Sequence, residues 1–430
     1  MIWPRSLRPR SGASTVARSD PSSDVNVSVP NDRLPAGFEF AVACVCGAIV
    51  ANLYFAQPIV GEIAGTLGFA PEGAGIIVTL AQLGYCLGLL LLVPLADALE
   101  NRRLALAVLV VGFAASITMA LTTSPTLFLI ACFCIGVGSV SVQILLPYAA
   151  ALSDPKRQGL MVGRVMAGIL TGIMLSRPLS SLITGLLGWR SVFFVSAAIC
   201  LGAAVLILAR MPARQPESKL GYGAMLKSMA SLAWENRLLQ RRAAYQFLMF
   251  YSYTLFWTAL PLLLSRPPYN LDQVQIALVA LAGAAGAIMS PLAGRVADRG
   301  AITLGTTLSL SAGVLSWIVA GWGGSGGVVG LAALLVGALL LDGAVPVSLV
   351  MSQRGLFSAH PNERARLNGL FMAAFFIGGA TGASVGVWAI ESFGWHGAMI
   401  AGASGPLLAL TLHLTFLALQ APSRSKGVRK

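Results

Sequence analysis

Two residues in this sequence stand where apolar chain rarely places them without a reason. Arg177 lies near the middle of MAGILTGIMLSRPLSSLITG, residues 166–185, and Asp342 lies inside ALLLDGAVPVSL. A cation and a carboxylate held away from water can bind a charged or polar ligand group, and the carboxylate can load and release a proton. A charged side chain at the centre of a membrane helix costs about 2.5 to 3.5 kcal/mol on insertion scales, so such residues are functional candidates by default. On a helical wheel Arg177, Ser180, Ser181 and Thr184 share one stripe. Gly168, Gly172 and Ser176 lie mainly on another face, whose small residues suit close packing against a neighbouring helix. The Arg177 stripe then faces a water-filled cavity or a partner acid, or Arg177 serves carbonyls freed by Pro178. Asp342 reads as a proton or substrate site about eight residues, hence about 12 Å, from one end of its span. The alternative is a structural hydrogen bond to an adjacent kinked helix.

Other polar and aromatic residues gather around prolines at matching places. Asn52, Tyr54 and Gln57 precede Pro58, and Tyr251, Tyr253 and Trp257 precede Pro261. Aligning Pro346 with Pro147 sets Gln143 opposite Asp342. Aromatic walls with a few amides and hydroxyls suit a small amphipathic organic molecule. Taken singly, each Tyr or Trp is equally an interfacial anchor. GGSGG at 323–327 formally matches GxSxG and His413 lies in an apolar run, which makes an intramembrane hydrolase a remote alternative. The stretch lacks the strand–turn–helix context of a nucleophile elbow. With three histidines and no metal or nucleotide motif, the sequence implies no cofactor and no metal.

The elements that must position these residues are membrane helices. Of 430 residues 56% are hydrophobic and 10% charged, against about 25% charged in ordinary soluble proteins. Runs of about 20 apolar residues, the length that crosses a bilayer, start near positions 38, 74, 104, 127, 161, 190, 244, 274, 303, 327, 367 and 396. The expectation is an all-α polytopic membrane protein of twelve transmembrane helices. All but three of the 29 Lys and Arg residues fall in the tails and in the loops after even-numbered spans; the exceptions are Arg177, Arg190 and Arg266. By the positive-inside rule both termini are cytoplasmic, and the basic excess reflects topology rather than nucleic-acid binding. The six cysteines lie in apolar runs without disulfide or zinc spacing and read as free thiols. Residues 1–37 read as a disordered cytoplasmic tail, 38–209 and 244–420 as two six-helix halves, 210–243 as a cytoplasmic loop, and 421–430 as a basic tail. The halves repeat: GWR at 188–190 recurs as GWH at 394–396, and LADAL around Asp97 recurs as VADRG around Asp298. Pseudo-symmetric halves with a site at their interface are an architecture of secondary transporters.

These features resemble the major facilitator superfamily over essentially the whole chain from about residue 38 to 420. Between spans 2 and 3, VPLADALENRRLAL keeps Asp97, Arg102 and Arg103 of the family signature, with Val93 in place of its leading Gly. The second copy keeps Gly294, Asp298 and Arg299. GWR and NLYFAQP look like the drug/proton antiporter branch. Two departures stand out: Cys132 occupies the place of that branch's helix-4 arginine, and Ser176-Arg177 stand where Gly-Pro is expected. The resemblance implies alternating access, with Asp97, Arg102, Arg103, Asp298 and Arg299 as a conformational latch. Together with Asp342, Arg177 and Gln143 it implies proton-coupled efflux of a drug-like or sugar-like compound, with proton-coupled uptake as the alternative. The expected setting is the bacterial inner membrane, the partners are substrate, protons and bilayer, and the expected state is monomeric.

Overall fold

The computed structural model describes residues 37–153, 158–213, 215, 221–283, 301–360 and 363–425. The N-terminal tail, residues 426–430 of the basic C-terminal tail, and the latch residues Asp298 and Arg299 lie outside them. Among the described residues every regular element is helical. The first half holds α1 (Phe38–Ala51), α2 (Val60–Leu67), α3 (Ile76–Leu95), α4 (Asn101–Leu121), α5 (Pro125–Ser139), α6 (Ser141–Leu152), α7 (Gln158–Leu187) and α8 (Trp189–Arg210). A short α9 (Tyr222–Glu235) follows, then α10 (Arg237–Leu264), α11 (Gln273–Gly283), α12 (Ile302–Ala320), α13 (Gly327–Ala359) and α14 (Arg364–Ser425). Nine helices among the described residues are long and apolar enough to cross a membrane, with α5 and α6 running together as one. At 62 residues α14 is long enough for two crossings and bends at Gly394.

Several boundaries differ from the sequence reading, each for a local reason. The first span is broken over residues 52–59. Pro58 has no N–H and its ring crowds the carbonyl of residue i−4, which interrupts the helix. The Phe55 carbonyl within the break accepts a 2.6 Å hydrogen bond from Ser180 of α7. Next, α10 starts at Arg237 rather than near 244, because the Asn236 side chain caps it by accepting from the Leu239 N–H at 2.9 Å. The connection before it is partly helical: α9 buries Met225 and Met229, and its Tyr222 donates to the Leu91 carbonyl of α3 at 3.0 Å. Finally, α13 continues past its apolar run to Ala359. Asp342 therefore lies near the middle of its helix, about 25 Å from Ala359 at 1.5 Å per residue.

The sequence repeats have structural counterparts. Gly188 and Gly394 both take positive φ, 83° and 64°, where a side chain would be strained. Trp189 and Trp395 follow them, both buried. In the first half Gly168 and Gly172 of α7 lie directly against the backbone of Ala43 and Gly47 of α1. In the second, Gly378 and Gly382 of α14 lie against the backbone of Phe247 and Tyr251 of α10. Small residues let membrane helices approach this closely, where packing rather than hydrophobicity holds helices together.

The halves pack together where Gly185 of α7 meets Val274 of α11, and hydrogen bonds join them at two further places. Thr79 of α3 donates to the Ala380 carbonyl at 2.7 Å and lies 2.7 Å from the Ser384 hydroxyl, both on α14. Gln57, in the broken span, donates to the Thr254 carbonyl at 3.2 Å and to the Thr258 hydroxyl at 3.0 Å, both on α10. Gln57 lies in the α2-proximal part of its span and Thr79 near the start of α3, so these bonds draw the halves together away from the basic loops.

Candidate functional site

Three elements converge on Arg177. The break after α1 turns Gln57 and Tyr54 inward, α10 presents Tyr253 and Trp257, and α13 presents Asp342. Arg177 is 3% exposed. Its Nε donates to the Gln57 Oε1 at 3.0 Å, and its Nη1 donates to the Tyr253 hydroxyl at 3.1 Å. The guanidinium carbon also lies 4.7 Å from the centroid of the Trp257 ring, 5.1 Å from that of Tyr253 and 5.4 Å from that of Tyr54. A desolvated cation over an aromatic face gains about 2 kcal/mol, so this cage offsets part of what burial takes from the charge. The carbonyls around Pro178 are not what Arg177 serves; Ser176 covers the Ile173 carbonyl itself at 2.6 Å.

Asp342 is 5% exposed and accepts a 2.8 Å hydrogen bond from the Trp257 Nε1. The Tyr253 hydroxyl also interacts electrostatically with its carboxyl. Tyr253 and Trp257 both stand between Arg177 and Asp342: Tyr253 accepts from the guanidinium, and Trp257 lies against the guanidinium while donating to the acid; the two charges form no direct ion pair. The chain Thr258–Gln57–Arg177–Tyr253 crosses the interface of the halves twice, and Asp342 adjoins it through Trp257.

The cage is not saturated. Arg177 Nη2 has no hydrogen-bond partner. It adjoins a void of about 10 Å³ lined also by Pro58, Trp257 and Pro261, room for one small polar atom or a water. Beyond Pro58 and Pro261 opens a cleft of about 330 Å³ with Glu62, Thr66 and Gln273 on its walls.

Other candidates fall elsewhere. Gln143 donates to the Tyr85 hydroxyl at 3.0 Å rather than to the Asp342 chain. Asn52 points to Cys200 of α8, with its Nδ2 3.6 Å from the sulfur. Tyr251 turns to the last helix and donates to the Ala401 carbonyl at 3.1 Å. Arg102 donates to the Leu208 carbonyl at 2.8 Å, capping the end of α8. Arg103 pairs with Glu100 at 2.8 Å on the surface. Asp97 sits exposed at the turn between α3 and α4. Sequence reasoning missed Thr254 and Thr258, whose spacing of four on α10 was the available signal, and Tyr85.

Comparison with known proteins places this arrangement in context. The sequence profile of the Major Facilitator Superfamily matches residues 40–357. The chain is 36% identical over 381 residues to the uncharacterized transporter YgaY of Escherichia coli O157:H7, covering 89% of this chain and 96% of that one. It is 24% identical over 271 residues to a chloramphenicol resistance protein of Streptomyces lividans, covering 62% and 68% of the two chains. Among solved structures, the nucleoside transporter NupG superposes with a TM-score of 0.69 at 13% identity, over 88% of this chain and 99% of that one. That likeness is one of fold.

Proposed function

The chain belongs to the Major Facilitator Superfamily and is a multi-pass membrane transporter, and we propose that it exports a small organic compound in exchange for protons. The observation that carries this reading is a buried base, Arg177, and a buried acid, Asp342, gathered around Tyr253 and Trp257 where the two halves meet. In this reading the halves are residues 38–209 and 244–420, joined by 210–243, with both termini in the cytoplasm and the protein in the bacterial inner membrane as a monomer.

With Asp342 ionised, its contacts with Trp257 and Tyr253 hold the α10–α13 side of the cage, and the charge of Arg177 is compensated. Protonation of Asp342 weakens those contacts, since charge-assisted hydrogen bonds are roughly twice as strong as neutral ones. Substrate entering from the basic-loop side displaces the Gln57 seam, the halves rock open away from the basic loops, and Asp342 takes up a proton there as substrate leaves. Closure of that side then opens the cavity to the cytoplasm, and release of the proton there restores the network. Substrate competes with this cycle for the aromatic faces of Tyr54, Tyr253 and Trp257, which suit a drug-like or sugar-like amphipathic molecule. The name of the Streptomyces lividans relative supports export of such compounds. The Asp97 turn, with Arg102 and Arg103 beside it and Asp298 and Arg299 as its second-half counterpart, serves as the latch on the basic side. Gln143 acts on the cavity through Tyr85.

The test uses inverted membrane vesicles energised acid inside, with dissipation of the pH gradient followed as drugs, sugars and amino acids are added. A compound-dependent proton efflux that is lost in Asp342→Asn and Arg177→Gln is the expected result. Efflux that persists unchanged in Asp342→Asn refutes the assignment of the proton site.

A further inference from the structure

A second polar constellation, unconnected to the Arg177 cage, lies at the start of α10. Arg241 and Arg242 are consecutive, and Tyr245 stands one turn further along the same helix. The Arg241 guanidinium carbon rests 3.4 Å from the centroid of the Phe416 ring on α14. Arg242 is 8% exposed and donates through Nη1 to the Thr306 hydroxyl of α12 at 3.0 Å. Tyr245 is 1% exposed. Three donors of this group have no acceptor: the Nε of Arg241, the Nε of Arg242 and the hydroxyl of Tyr245. His413 of α14 is already engaged, its Nε2 3.1 Å from the Thr307 hydroxyl and its ring edge-on to Tyr245. Tyr245 and His413 both interact electrostatically with both guanidiniums, so the four groups form one cluster.

Among the described residues no carboxylate pairs with either arginine. A buried cation beside a half-buried one, each with an orphaned donor, is unfavourable unless an anion completes them. The missing partner must offer several acceptor oxygens to donors that fan out from one helix turn. A phosphate group does so, and guanidinium is the side chain whose geometry matches it. The flanks of the cluster are apolar and exposed at Leu304, Leu308 and Leu412, the character of a surface turned to lipid tails. A basic pocket between transmembrane helices at the membrane edge is a setting in which lipid headgroups bind.

We propose that Arg241, Arg242 and Tyr245 bind a phosphate group, the chemistry shared by the headgroup of an anionic phospholipid and by inorganic phosphate. Phosphate there ties α10 to α12 and α14. Because α10 also carries Tyr253 and Trp257, occupancy biases the helix that the transport cycle moves.

The test is titration of the purified full chain in detergent with dihexanoyl phosphatidylglycerol, with dihexanoyl phosphatidylcholine and inorganic phosphate as separate arms, read by calorimetry. Wild type should prefer phosphatidylglycerol to phosphatidylcholine. Arg241→Gln and Arg242→Gln should each weaken that binding about fivefold, the effect of one arginine near an anionic headgroup. Tyr245→Phe, which keeps both charges and the ring volume, should weaken it about threefold, the lower range for one hydrogen bond. Arg237→Gln, at an exposed neighbour, should leave it unchanged. If inorganic phosphate binds with the same variant pattern and lipid does not, the site takes free phosphate. Affinity for both probes that is equal in wild type, Arg241→Gln and Tyr245→Phe overturns the proposal, and Tyr245→Phe remains readable if an arginine variant fails to fold.

Discussion

The sharpest test of the coupling scheme is Tyr253→Phe. The substitution keeps the ring that stacks 5.6 Å from Phe250 and faces Arg177, and it deletes one oxygen. That oxygen is the 3.1 Å acceptor of Arg177 Nη1 and interacts electrostatically with Asp342. Arg177 would keep only its Gln57 bond, since Nη2 already has no partner. Asp342 would keep Trp257. A hydrogen bond to a charged group contributes about 1.5 to 3 kcal/mol. Taking about 2 kcal/mol as the lost coupling between base and acid, the rate of the proton-coupled step should fall about 30-fold, at 1.36 kcal/mol per decade. The assay is reconstituted protein in liposomes, with net proton-driven flux compared against substrate–substrate exchange, which needs no change in protonation. Net flux should collapse while exchange falls much less. A Tyr253→Phe protein whose net flux and proton stoichiometry match wild type would refute the relay through Tyr253 and leave Trp257, which lies against Arg177 and donates to Asp342, as the link. Equal losses in both modes would instead assign Tyr253 to substrate contact.

Two further predictions concern the frame that holds the cage. Gly172→Ala places a carbon against the Gly47 carbonyl, well inside contact distance, and should cost about 1 to 3 kcal/mol as overpacking. The melting temperature in detergent should drop, while Gly163→Ala, whose added carbon meets open space, should leave it unchanged or raise it. At the α3–α14 seam the Thr79 and Ser384 hydroxyls lie 2.7 Å apart, so Thr79→Cys with Ser384→Cys should form a disulfide when oxidised. That crosslink should arrest transport and reduction should restore it; full activity of the crosslinked protein would show that this seam does not open during the cycle.

The parts of the site that were legible in the sequence share one property. Arg177, Asp342, Gln57, Tyr253 and Trp257 are polar groups in apolar surroundings, and burial without a partner is costly enough to make each conspicuous. Facing was harder to read. Tyr251 and Tyr253 are two positions apart, about 200° around a helix, so they could not share one cavity. Asn52 lies at the edge of the break before Pro58, where the helical phase that would predict its direction is lost. Arg241 and Arg242 were hidden for another reason, because counting basic residues for topology treats all of them as equivalent, and only packing shows that Arg242 is buried beside Thr306. The role of Tyr253 is the step the sequence could not supply. A deep arginine and a deep acid suggest a direct pair, and a direct pair would bind each charge to the other's state. A hydroxyl that accepts from the guanidinium and feels the charge of the acid can turn its proton when the acid takes one up, and so passes the change to Arg177 without uncovering it. That separation is what lets a single protonation at α13 be felt at Gln57, on the opposite half of the protein.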